Sequence, residues 1–262
     1  MNLAPEALRI PPHLLEDAVL LPDRYALLPH LPRHAVFAEI GVATGDFSQA
    51  VMTVCEPALF VAIDMFRLHE IPVLWGQPSE TLLGGRTHAA AYRERFAEAE
   101  EAGRLRILEG DSATCLEQLE EASVDVLYID ADHQYEGVRR DLAVARRKVR
   151  EDGWIIVNDY LMVAALGDTI PYGVVNATNE FMIEHDWGIA YFALQTRMFC
   201  DVALRPASAL RQSRHRNDAI VAENEHLRAT VAALRRSGSW RVTAPLRAAS
   251  RRLGRPLRRL LP

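Results

Sequence analysis

The chain of 262 residues is 49% hydrophobic and 25% charged, which supports a buried α/β core with an appendage and excludes a disordered or fibrous protein. It has no apolar run of about eighteen residues, and no basic cluster leading into an apolar stretch near the start, so neither a membrane-spanning helix nor a secretory signal is expected and the protein is placed in the cytoplasm. The net charge of −5 hides a split: ten arginines and no acidic residue follow Glu225, leaving −15 on residues 1–225, an acidic body with a basic end suited to an anionic surface.

In chain order, residues 1–34 read as a helical lead-in. Residues 35–205 then alternate short apolar strands with helix-length segments, as in a mainly parallel sheet covered on both faces. Strands are predicted at 35–40, 59–63, 105–108, 124–129 and 154–157, with helices at about 47–54, 88–102, 113–121 and 135–149. In the last of these Val138, Leu142, Ala145 and Val149 share one face. A further helix near 175–184 precedes strands at 189–194 and 198–204. Only Gln195, Thr196 and Arg197 separate those two strands, too few for a crossover helix, so they must pair antiparallel. Cys55, Cys115 and Cys200 lie far apart, outside any C-x-x-C pair, and read as small buried residues rather than as disulfides or a zinc site.

Glu39-Ile40-Gly41-Val42-Ala43-Thr44-Gly45 follows the first strand and opens the first helix. Glycine lets the backbone turn tightly there and lets a ligand lie against the main chain at a helix N-terminus. The segment resembles the acidic-x-G-x-G-x-G signature of class I S-adenosylmethionine-dependent methyltransferases, with Ala43 in place of the middle glycine. The strand order matches the Rossmann-like sheet of that family, and the dinucleotide spacing G-x-G-x-x-G is absent. The second strand ends at Asp64, a carboxylate placed to accept both hydroxyls of a ribose. The third leads into Asp111 and Ser112, where the family puts an acidic group beside the adenine; capping of the next helix is an equally open role for either residue.

The fourth strand ends Asp130-Ala131-Asp132-His133 and the fifth Asn158-Asp159-Tyr160. Adjacent parallel strands deliver both tips to one crevice, and carboxylates crowded there need a positive charge between them. Mg²⁺ fits such an oxygen-rich set. The pattern resembles bacterial glycan and antibiotic-sugar methyltransferases, related to the macrocin-type sugar O-methyltransferases. That resemblance implies Asp130, Asn158 and Asp159 as metal ligands, Asp130 also beside the cofactor, and Asp132 as base; Asn158 stands where the family often has Asp. The motif D-x-D-H-x-Y-E-G, matched by Asp130 to Gly137, resembles a group of small methyltransferases in which His133 serves as base without metal. The likeness extends over residues 24–204, and His133 orienting the next helix is the bland alternative. The implied reaction is O-methylation of a sugar or glycan hydroxyl. A non-sugar acceptor, or a non-catalytic cofactor-binding module, are the rivals.

Residues 206–236 read as a helix, with Asn217, Asn224 and Val231 at the a positions and Ile220, Leu227 and Leu234 at the d positions of a heptad over 211–235. Such a seam suits a homodimer, and asparagine at a favours a parallel pair. In residues 237–262 arginine is interleaved with leucine and Trp240, as in a helix lying on an anionic membrane surface. The stretch from Ser239 to Arg247 resembles tails of bacterial surface-polysaccharide glycosyltransferases, which implies docking at the inner membrane or on glycan-assembly enzymes. No nucleic-acid partner is expected, because the body is acidic.

Overall fold

A computed structural model of the chain describes residues 7–160, 172–195 and 200–236. The chain divides into two compact units, Met1–Leu210 and Arg211–Pro262.

In the first unit the elements are β1 (Val19–Leu21), β2 (Val36–Ile40), α1 (Asp46–Val54), β3 (Leu59–Asp64), a small hairpin of β4 (Val73–Leu74) and β5 (Gln77–Pro78), α2 (Ser79–Leu82), α3 (His88–Arg95), α4 (Ala97–Glu101), β6 (Leu105–Glu109), α5 (Ser112–Glu117), β7 (Val124–Ile129), α6 (Tyr135–Lys148), β8 (Val149–Val157), α7 (Val174–His185), β9 (Trp187–Ala193) and β10 (Asp201–Pro206). The helix α8 (Ala207–Arg236) begins in this unit and continues into the second. Among the described residues no helix is long and apolar enough to cross a membrane.

Eight strands form one sheet in the order β1-β9-β10-β8-β7-β2-β3-β6. The strands β6, β3, β2, β7 and β8 run parallel, and β10 pairs antiparallel with both β8 and β9. This is the parallel sheet finished by an antiparallel pair that the short 195–197 connection predicts. Side chains alternate between its faces: Ala38, Ile40, Val61 and Ile63 join a core under α5, α6 and α7, while Phe37, Phe60 and Ala62 join another with α1 and the segment before β2. Burying a ring such as that of Phe60, which is fully enclosed, is worth about 1.5–3 kcal/mol. The three cysteines are free and buried.

Three local features differ from the sequence reading. The lead-in carries two short 3₁₀ turns, at Pro12–Leu14 and Tyr25–His30, and the strand β1, which extends the sheet beside β9. The helix predicted over 88–102 breaks at Phe96, whose backbone leaves helical geometry while its ring packs on Tyr92. The strand β8 starts at Val149, paired with Val124, five residues ahead of the strand predicted at 154–157.

Candidate active site

A cleft of about 910 Å³ opens at the carboxyl ends of β2, β3, β6, β7 and β8, and is lined by Glu39, Gly41, Ala43, Asp64, Asp111, Ser112, Asp130, Asp132, His133, Asn158 and Asp159. Eleven of the twelve residues singled out from the sequence therefore share one cavity; Gly45 does not line it.

At its floor the turn after β2 is pinned to both neighbouring strands: Gly41 N donates to Ile63 O and Asp130 N to Ile40 O, each at 2.8 Å. Gly41 has φ +81°, and a Cβ there would collide with the Asp130 carbonyl. Gly45, at φ +87°, caps the start of α1, and a Cβ on it would meet the Phe96 ring at 2.7 Å. Both glycines are thus needed by the turn itself. Ala43 sits between them at φ +46°, a left-handed conformation that costs a residue with a Cβ about 1–2 kcal/mol. The extra methyl therefore carries a conformational cost as well as a steric one.

Asp64 Oδ2 accepts from Val42 N at 2.9 Å and from Ala43 N at 3.4 Å, and its Oδ1 from Phe66 N at 2.7 Å. These bonds aim the carboxylate at the glycine turn, and Oδ1 keeps a lone pair for a ribose hydroxyl. Glu39 is buried and accepts from Ser48 Oγ at 2.6 Å. Burial pushes its carboxyl up to about 8, against the opposing Ser48 bond. Asp111 caps α5, accepting from Thr114 N at 3.0 Å, and pairs with Arg140 at 2.8 Å. The Thr114 bonds, aided by Arg140, hold it below the usual carboxylate range. Ser112 Oγ donates to the buried Asp141 at 2.6 Å. The capping role is thus realised on the cleft wall.

The tips of β7 and β8 meet around His133. Its Nε2 lies 3.5 Å from both Asp130 Oδ1 and Asp159 Oδ2, its ring stacks on Tyr172, and this buried nitrogen has no hydrogen-bond partner. Burial alone would lower the His133 pKa, but the two carboxylates outweigh it and hold it above the usual value. Asp159 is pushed up to about 6 by burial, partly offset by His133. It also adopts φ +56°, backbone strain of the kind that collects at functional sites.

The sequence reading missed Arg24 and Asp201. Arg24 reaches from the first segment to within 3.6 Å of Asp130 Oδ2 and 3.7 Å of Asp201 Oδ2, over the rings of Phe47 and Tyr128. Asp201, fully buried at the start of β10, accepts from Tyr128 Oη at 2.7 Å, Asn158 Nδ2 at 2.8 Å and Gln195 Nε2 at 2.7 Å. The positive charge that crowded carboxylates require is thus present as Arg24, and His133 adds to it when protonated.

The metal ligands expected from the sequence are engaged with other partners here. The Asn158 carboxamide turns to Asp201 and Tyr128, His133 stands between Asp130 and Asp159, and among the described residues no group of His, Cys, Asp or Glu is arranged to hold a metal. Asp132 is not in the cluster either: it sits exposed at the rim, accepts from Gln134 N at 2.9 Å, and packs over Gly137 to turn the chain into α6.

Residues 38–160 match the family model described as a methyltransferase domain. No curated protein matches the chain. Its structure is similar to that of the pyocyanin biosynthetic protein PhzM, with TM-score 0.45 and 14% identity over 69% of this chain and 53% of that one. It is similar also to the B. subtilis tRNA methyltransferase TrmK, with TM-score 0.45 and 11% identity over 70% of this chain and 65% of that one. A SAM dependent methyltransferase from Aquifex aeolicus gives TM-score 0.44 and 11% identity over 70% and 93%. The chain thus spans about half the length of the first and under two thirds of the second. The matched segment contains the glycine turn, Asp64 and the Asp130–His133–Asp159 cluster, so residues 38–160 match a methyltransferase domain set in a Rossmann-like sheet.

Proposed function

We propose that the protein methylates a hydroxyl of a sugar, in a bacterial surface glycan or glycosylated metabolite, with His133 as the base. The observation that carries this reading is the orphaned Nε2 of His133, held between Asp130 and Asp159 in the cleft that the glycine turn and Asp64 also line. A buried nitrogen that meets two carboxylates without a well-formed hydrogen bond is a cost to the fold, and a catalytic role is one explanation for such a group. When bound, the cofactor supplies an electrophilic methyl group. The chain's task is to align the acceptor oxygen and to take its proton. Neutral His133 can accept that proton near neutrality, and the two flanking carboxylates stabilise the imidazolium that results. A metal-assisted version would use the Asn158 amide oxygen with Asp130 and Asp159, and the chain's own residues take the proton in either version.

The acceptor class is supported by the rim. Tyr25 and Trp75, 52% and 68% exposed, line the same cleft as Asp130 and Asp132, and aromatic faces with carboxylates suit the C–H faces and hydroxyls of a sugar ring. The test is transfer of labelled methyl to a panel of hexosides and deoxyhexosides, set against catechol and small amines. Label in sugar methyl ethers, lost in His133→Asn, is expected. Label confined to the phenol or the amine would contradict the sugar reading.

Pairing of two copies through residues 211–235, and docking of the basic end on an anionic inner-membrane surface or glycan-assembly enzymes, belong to the same proposal. Ile220, Leu227 and Val231 are exposed along α8, which supports pairing. Asn224 bonds back to Ile220 O at 2.9 Å within the helix. The basic stretch of residues 237–262 lies outside the described residues. Sedimentation of the full chain, and membrane fractionation with and without residues 237–262, test these two parts; a monomer, or an unchanged distribution, would contradict them.

A further inference from the structure

The left-handed Ala43 is gripped from behind by a histidine that no motif identifies. His88, at the start of α3, is 1% exposed. Its Nε2 lies 2.5 Å from the Ala43 carbonyl oxygen, and its Nδ1 lies 3.5 Å from Leu68 N and 3.9 Å from Asp64 Oδ1. A carbonyl can only accept, so Nε2 must carry the proton, and Nδ1 is then free to accept from the Leu68 N–H. One ring therefore ties the cofactor turn to the 3₁₀ turn at Leu68–Glu70, just ahead of the β4–β5 hairpin. On the other side of the same residue, Asp64 takes the Val42 and Ala43 amides. The peptide at Ala43 is thus fixed at its carbonyl by His88 and at its amide by Asp64. A buried imidazole used only for packing would not need both nitrogens directed at backbone groups of two different loops.

We propose that His88 is a positioning residue for the cofactor: it holds Ala43 in the left-handed conformation that the turn requires, and so pre-organises the turn before the ligand arrives. A loop already ordered loses less freedom on binding, and affinity rises by that amount. The inference rests on the reading that this turn holds S-adenosylmethionine. It assigns His88 to cofactor affinity rather than to proton transfer, since the ring lies behind the turn, against Phe66 at 4.9 Å between ring centroids.

The test is calorimetric titration of S-adenosylhomocysteine into the full-length protein and its variants, with thermal melts alongside. His88→Phe keeps the ring contact with Phe66 and removes the bond to Ala43; it should weaken binding about tenfold. His88→Gln can still present an N–H to the carbonyl and should recover most of that loss. In an Ala43→Gly background, where the left-handed conformation is no longer costly, His88→Phe should weaken binding less than it does beside alanine. Wild-type affinity in His88→Phe would overturn the assignment. Equal losses in the Phe and Gln variants with lowered melting points would overturn it too, by reducing His88 to core packing. Absence of binding by the wild-type chain would instead contradict the methyltransferase reading itself, so the two failures are distinguishable.

Discussion

Asn158 Nδ2 donates to Asp201 Oδ1 at 2.8 Å, and that bond fixes the carboxamide on the wall of the crevice where its neighbour Asp159 faces His133. An aspartate at 158 would put two carboxylates in contact in a buried network whose cation, Arg24, already serves Asp130 and Asp201. An uncompensated buried charge of this kind costs on the order of 3 kcal/mol. Asn158→Asp should therefore lower stability to urea by about that amount, and adding Asp201→Asn should recover most of it. An Asn158→Asp variant as stable as the wild type would contradict the orientation of the carboxamide.

Glu39 gives a pH prediction. Its carboxyl is raised from 4.5 to about 8 by burial, so the folded state holds the proton more tightly than the unfolded chain. The stability this contributes is complete below pH 4.5 and is lost as the pH rises through about 8. Glu39→Gln keeps the shape of the protonated group, so its denaturation midpoint should fall less than that of the wild type between pH 5 and 8.5. Parallel curves for the two proteins would contradict the burial of an uncompensated carboxyl.

His133 should titrate above 6.5, because Asp130 and Asp159 together outweigh its burial. Its contribution to stability is present below 6.5 and lost as the pH rises through its folded value. Removing one of the two charges, as in Asp159→Asn, should move its titration to lower pH, readable from the imidazole Cε1 proton by NMR. The acidic limb of the methyl-transfer profile should move the same way, since the neutral ring is the base. An unmoved titration would separate Asp159 from His133.

Two glycines with positive φ should differ in their tolerance of alanine. At Gly41 a Cβ would strike the Asp130 carbonyl, whereas at Gly85 nothing lies within 4 Å. Gly85→Ala should cost about 1–2 kcal/mol, the cost of the left-handed conformation alone. Gly41→Ala should cost more, by about 1–3 kcal/mol of overpacking, and should abolish binding of S-adenosylhomocysteine. Equal losses would mean that the turn can yield without disturbing β7.

The strand tips were legible because parallel strands end on the same edge, so Asp64, Asp130 and Asp159 could be placed together from their positions alone. The need for positive charge among them was legible too, but its source was not. Arg24 lies seventeen residues before Gly41 in an irregular segment, and Asp201 begins the last strand of the sheet; neither belongs to a motif, and only the sheet order brings them to Asp130. Asp132 was expected as a base because the resemblance gives that role to the second acid of the D-x-D element. Its Oδ1 accepts from the Gln134 amide two residues on, the local bond of an Asx turn leading into α6. The break at Phe96 had no signal in propensity, because it follows from the ring packing that also closes over Gly45.

The central claim is that the glycine turn and Asp64 hold S-adenosylmethionine, and it is tested most directly by titrating S-adenosylhomocysteine into the full-length chain and into Asp64→Ala. Binding by the wild type, weakened about tenfold or more when the charge-assisted hydrogen bonds of Asp64 are removed, is the expected result. No heat of binding in the wild type, or equal affinity in the two proteins, would contradict it.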